Sequence, residues 1–143
     1  MSLGSFDGLA PATYDIPEAP FNTTFTFAWE KAPLSMNYRM HRMQAANITK
    51  EIRSLMHSLA RNIPDLGRCR VDLIWWVNTK HRRDEENVVP VLKALCDGLV
   101  DAEVVEDDTR EFMVKMMPEI RFVPKRQKLA CFEFTITEIG TAA

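Results

Sequence analysis

Asp84, Glu86, Asp107 and Asp108 are the side chains of this 143-residue sequence whose type and spacing could do chemistry. Residues two apart in an extended segment project to the same side, so Asp84 and Glu86 would present two carboxylates together while Glu85 points away. Two such carboxylates make half a site for a hard cation, because Mg²⁺ takes one or two of them, keeps some water and leaves places for phosphate oxygens. Asp107 or Asp108 would supply a third carboxylate. Neighbouring residues aim in different directions, so one of that pair is expected to reach the metal. The same acids also fit a plainer role, in which those before a helix stabilise its positive end and Glu106–Asp108 is a solvated turn.

Charge is segregated along the chain. The formal net charge of −2 excludes a uniformly basic nucleic-acid binder. Yet much of the acid lies between Asp101 and Glu111, while cations gather at Arg39, His41 and Arg42, at Lys80–Arg83, and at Lys125, Arg126 and Lys128. Cations flanking an acidic centre suit a protein that grips phosphates around a metal.

The elements that must position these residues are legible from periodicity. Phe21, Thr23, Phe25, Phe27 and Trp29 alternate with Asn22, Thr24, Thr26 and Ala28, which predicts a half-buried strand. Lys31–Tyr38 reads as a loop. Ala45, Ile48, Ile52, Leu55, Met56 and Leu59 predict a helix over 44–61, with Lys50, Arg53, His57 and Arg61 on its solvated face. Cys69–Val77 predicts a central strand, bulky on both sides of the pleat. A second helix is expected over 88–102, with Asn87 as its N-cap, Pro90 tolerated in the first turn, and Val88, Leu92, Leu95 and Leu99 buried. Lys93, Asp97 and Asp101 then share another face at i, i+4, i+8. Thr109–Met116 fits a short helix or a strand. Glu119–Val123 and Leu129–Thr137 predict strands around a basic turn at 125–128, with Ala130, Phe132, Phe134 and Ile136 facing in. The expected architecture is α+β: a single domain with a mixed sheet covered by two main helices. It spans 21–138, between a flexible N-terminal arm (1–20) and a C-terminal tail (139–143).

The ordered set Arg82-Arg83-Asp84-x-Glu86-Asn87, Lys93-x-x-x-Asp97-Gly98-Leu99 and Val104-Val105-x-Asp107-Asp108 resembles the RusA family of Holliday-junction resolvases. That family's signature is an R-x-D-x-D-N segment, a helical Lys followed four residues later by Asp, and a D-D turn. The resemblance covers Arg82–Asp108 closely. It extends more weakly to Pro33-Leu34-Ser35-x-Asn37, similar to a P-P-S-x-N loop, and to the closing Phe134–Glu138 strand. It implies that Asp84 and Asp108 are metal ligands, that Glu86 stands where the family has a second Asp, and that Lys93 is the functional lysine. Two departures stand out: Glu86 is a methylene longer, and Asn87 to Lys93 is three residues longer than the common spacing. Three residues are nearly one helical turn, which leaves Lys93 on roughly the same face.

The resemblance further implies a Mg²⁺ cofactor, with Mn²⁺ as a substitute, and four-way or other branched DNA as substrate. Asn37, Arg39, Lys80, Arg82, Arg83, Asn87, Lys125, Arg126 and Lys128 would contact that DNA. It also implies a homodimer, whose surface could involve Phe112–Met117 or Trp75-Trp76, although such residues are more often core. A catalytically inactive branched-DNA-binding protein and a plain partner-binding domain remain as alternatives. Cys69, Cys96 and Cys131 lack zinc or disulfide spacing and read as buried thiols. No apolar run is long enough for a spanning helix, and Met1–Pro20 lacks the charged start and apolar stretch of a signal peptide. A soluble, cytoplasmic protein without a membrane partner is expected, in the bacterial host cytoplasm if a phage carries it.

Overall fold

The alternating runs near the two ends of the chain prove to be partners. In the computed structural model, which describes residues 20–140, β1 (Asn22–Phe27) pairs antiparallel with the last strand, β5 (Cys131–Glu138), setting Phe25 opposite Phe134 and Phe27 opposite Phe132. The opposite face of the same pair is polar, with the Thr24 and Thr135 hydroxyls hydrogen-bonded at 2.8 Å. Most of the expected N-terminal arm, and residues 141–143 of the tail, lie outside the described residues.

Between them run α1 (Arg42–Ala60), β2 (Cys69–Val77), α2 (Val89–Asp101), β3 (Met113–Lys115) and β4 (Glu119–Phe122). β2 is central, as its bulk on both faces predicts: β5 lies antiparallel on one side, and β3 and β4 lie parallel on the other. Those two short strands take successive stretches of β2, Cys69–Val71 and Ile74–Val77. Between them, Pro118 has no N–H to give a ladder. The strand alternative for Thr109–Met116 therefore holds for Met113–Lys115 alone.

The inward row of the sheet, Val71, Leu73, Phe132, Phe134 and Ile136, joins Met56 of α1 and Leu95 and Leu99 of α2 in one buried core. The molecule is a single α+β domain with a mixed sheet and two helices. Ala130, expected to point inward, instead precedes β5, where its N–H donates to Asn78 Oδ1 at 2.9 Å. The three cysteines are free and buried, and burial pushes the Cys69 thiol up to about 11 and Cys96 to about 12.

The helices cross closely because α2 carries a glycine at the contact. A Cβ on Gly98 would stand 2.6 Å from Met56 Cβ and 2.7 Å from the Arg53 carbonyl oxygen. Arg53 lies on the solvated face as expected, and from there it reaches across to Asp101 with two hydrogen bonds. α2 then ends in a Schellman turn, with Glu103 N–H donating to Val100 O (2.9 Å), Val104 N–H to Leu99 O (3.1 Å), and the apolar pair Leu99 and Val104 buried. Glu103 holds the left-handed position, φ 62°, that such turns reserve for glycine. This turn delivers the chain to Glu106–Asp108.

Candidate active site

The acidic segment folds differently from its expected extended form. Asp84 is extended (φ −100°, ψ 127°), but Glu85–Val88 closes into a single 3-10 turn that runs straight into α2. Asn87 is accordingly not the N-cap of α2: that position falls to Val88, which makes no side-chain cap. The Asn87 N–H is already bonded to the Asp84 carbonyl at 3.0 Å, and Pro90, in the first turn of α2, brings no N–H that needs capping. Nor does Glu85 point away, since its carboxylate accepts from the Ile120 N–H at 3.3 Å and ties the acidic segment to the edge of β4.

That tie joins the walls of an open cleft of about 600 Å³. The cleft is lined by Lys80–Arg83 and Asp84–Glu86 together with Met117, Ile120 and Phe122. A second cleft, of about 340 Å³, lies against it and shares Arg82, Arg83 and Asp84 while adding Ser35, Asn37, Tyr38, Trp75 and Asn87. The loop carrying Asn37 is fastened to the acidic turn by a hydrogen bond from Met36 N–H to Asn87 O (3.0 Å). The Pro33–Asn37 loop and the acidic segment thus meet in space. Arg83 is braced by Thr79 through its carbonyl (2.9 Å) and its hydroxyl (2.6 Å), and its guanidinium lies 5.3 Å from the Trp75 ring centre.

Lys93 and Asp108 also come together, although fifteen residues apart. Lys93 Nζ donates to Asp97 Oδ1 and to Asp108 Oδ2, each at 2.8 Å, so the expected i,i+4 pair exists within a larger cluster. Lys115, which sequence spacing did not single out, adds a 3.3 Å bond to the same Asp108 oxygen. Asp107 aims elsewhere, accepting from the Asp108 N–H at 2.8 Å, as adjacent residues were expected to do. The Lys93 bond, aided by Lys115, holds the Asp108 carboxyl below its ordinary range against the opposing effect of partial burial. Bonds to Asp108 and Asp97 raise the Lys93 pKa in turn, so it is a fixed cation at any working pH.

On the Asp84 side two acidic carboxylates are uncommitted among the described residues. Asp84 and Glu86 are exposed, both line the larger cleft, and among the described residues neither carboxylate is in an ion pair. Among the described residues no three His, Cys, Asp or Glu side chains are grouped to hold an ion, and Asp108 is neutralised by two lysines. Two carboxylates alone would leave most of a hard cation's shell to water and substrate oxygens.

The remaining cationic candidates separate. Arg39 is exposed in its loop and lines neither cleft. The 125–128 segment lies beside β5, along a different hollow of about 480 Å³ lined by Lys125 and Lys128. Lys128 is committed there to Glu133 at 2.7 Å, a carboxylate that also accepts from Trp76 Nε1 at 2.7 Å. Lys125 and Arg126 stand exposed. Glu85, Lys115 and the Met117–Phe122 wall were missed because each acts through a contact distant in sequence.

No protein-family model matches the chain, and neither does any curated protein. Among solved structures, hydrogenase maturation protein HypE is similar at a TM-score of 0.32 and 15% identity, and HypE in complex with ATP at 0.31 and 13%. The alignments cover 92% of this chain but 35% and 33% of those proteins, so the chain spans about a third of their length. Among the described residues no helix is long and apolar enough to cross a membrane.

Proposed function

We propose that this chain is a Mg²⁺-dependent, structure-selective endodeoxyribonuclease that resolves four-way DNA junctions by paired phosphodiester cuts. The observation that carries the reading is the position of Asp84. It is an exposed carboxylate on the wall shared by two clefts, flanked by Arg82 and Arg83 and faced by Asn37 and Asn87. The residue order of the motif and its resemblance to RusA resolvases point the same way.

When bound, Mg²⁺ would supply Lewis acidity toward a phosphoryl oxygen and an ionisable water. Asp84 and Glu86 are the residues to hold it. Arg82, Arg83 and Lys80 would neutralise and position the DNA backbone without reading bases. Lys93, kept charged by Asp97 and Asp108, acts through its charge and not by releasing a proton. A two-fold homodimer would place one such site on each of the two strands that must be nicked.

A second reading is a junction binder that does not cut. The engagement of Asp108 by Lys93 and Lys115 favours it, because the third candidate ligand is then already neutralised. One experiment separates the two: purified protein is incubated with a labelled four-way junction and with linear duplex of equal length, in Mg²⁺ or EDTA. Symmetric nicks on the junction alone, abolished by EDTA, support the nuclease; tight junction binding without nicks supports the binder. Neither binding nor cutting overturns both.

A further inference from the structure

The larger cleft is lined by two chemically different sets of side chains. One is cationic, with Lys80 and Arg82 next to Asp84; the other is apolar, built from Met117, Ile120 and Phe122 of the edge strand β4 and the segment before it. Phe122 and Met117, which both line the cleft, are 43% and 56% exposed. The wall is nonetheless rigidly held: β4 is hydrogen-bonded along β2, Val123 N–H bonds Val77 O at 2.9 Å, and Glu85 anchors Ile120 from the other edge. Lys80 Nζ stands 4.8 Å from the Phe122 ring centre, so a cation already lies against the aromatic face. Apolar side chains and phosphate-gripping cations lining one cleft are complementary to a nucleotide out of its stack, whose base would take the place of the Lys80 ammonium on Phe122 while Lys80 and Arg82 turn to its phosphate.

Resting on the nuclease reading of Asp84, we propose that this apolar wall is a subsite for one unstacked nucleobase next to the phosphate at the acidic segment. The subsite favours DNA whose bases are open at that point, as at a branch, over continuous duplex. Phe122 is thereby a specificity-determining residue, because a paired and stacked base has no free face to offer. Unstacking costs least where pairing is already interrupted.

The test uses the full chain in EDTA, so that binding is read without cutting, with fluorescence anisotropy on two probes: a four-way junction with two unpaired nucleotides at the branch, and a linear duplex. Phe122→Ala should weaken junction binding about tenfold while leaving duplex binding unchanged, since base–aromatic stacking contributes on that scale. Phe122→Trp should keep wild-type junction affinity, which separates stacking from a folding defect. Equal junction affinity for wild type and Phe122→Ala overturns the subsite alone; no binding of either probe by the wild type overturns the nuclease reading and the subsite with it. A change in sedimentation coefficient with Phe122→Ala and unchanged junction affinity would mark the wall as a contact between copies, and also overturns the subsite.

Discussion

Replacing Gly98 by alanine tests the helix crossing on which the geometry of the site depends. A methyl group there meets Met56 Cβ at 2.6 Å and Arg53 O at 2.7 Å, both on the body of α1 and neither the end of a flexible side chain. Bringing both to ordinary contact requires the helices to part by about 0.8 Å, which in a packed core costs on the order of 3 kcal/mol. Alanine is worth about 1 kcal/mol more than glycine within a helix, so the net loss is about 2 kcal/mol. For a domain of this size that lowers Tm by roughly 7 °C. Circular dichroism melting and urea titration read this directly, with Gly140→Ala as control, since a methyl there meets nothing within 4 Å. An unchanged or raised Tm for Gly98→Ala would refute the close-crossing argument, because helix propensity would then outweigh the contact.

Glu103→Gly should stabilise the domain by about 1 kcal/mol, seen as a higher urea midpoint, because glycine holds the left-handed position without a Cβ penalty. Lys93→Met should flatten the acid side of the stability curve. The folded-state pKa of Asp108 lies below its ordinary 3.8, so its pairing stabilises fully above that value and is lost as pH falls through the lowered one. Urea midpoints between pH 2 and 6 (~one-unit steps) would show a shallower acid slope in the variant if that pairing operates. The thiols of Cys69 and Cys96, pushed up to about 11 and about 12 by burial, should stay silent toward a thiol reagent at mildly alkaline pH until urea unfolds the chain. Reaction of either in the native state would contradict their burial.

Patterns confined to one element were readable from sequence. The alternation of Phe25 and Phe27, the helical spacing of Ile52 and Met56, and the bulk of Cys69–Val77 each fix an element, because period and burial face go together. The strand partners were not readable, since nothing local in Asn22–Phe27 states that it pairs with residues more than a hundred positions away. The turn at the acidic motif failed for a related reason. Extended and 3-10 conformations of Glu85–Val88 differ by little locally, and the choice is made with bonds from outside: Ile120 to Glu85 and Met36 to Asn87. Lys93 shows both sides, its pair with Asp97 legible from spacing and its bond to Asp108 visible only once the Schellman turn folds back.

The most direct test of the central claim compares wild type with Asp84→Asn on a labelled four-way junction in Mg²⁺, measuring binding and single-turnover cleavage on the same preparations. Asp84 is exposed and in no ion pair among the described residues, so its isosteric amide should leave the fold and junction affinity intact. Cleavage should fall at least a hundredfold, as loss of a charged ligand from a metal-dependent hydrolase predicts. Symmetric cutting by Asp84→Asn at the wild-type rate would contradict the assignment of Asp84 as the metal-holding carboxylate and remove the basis for this active site.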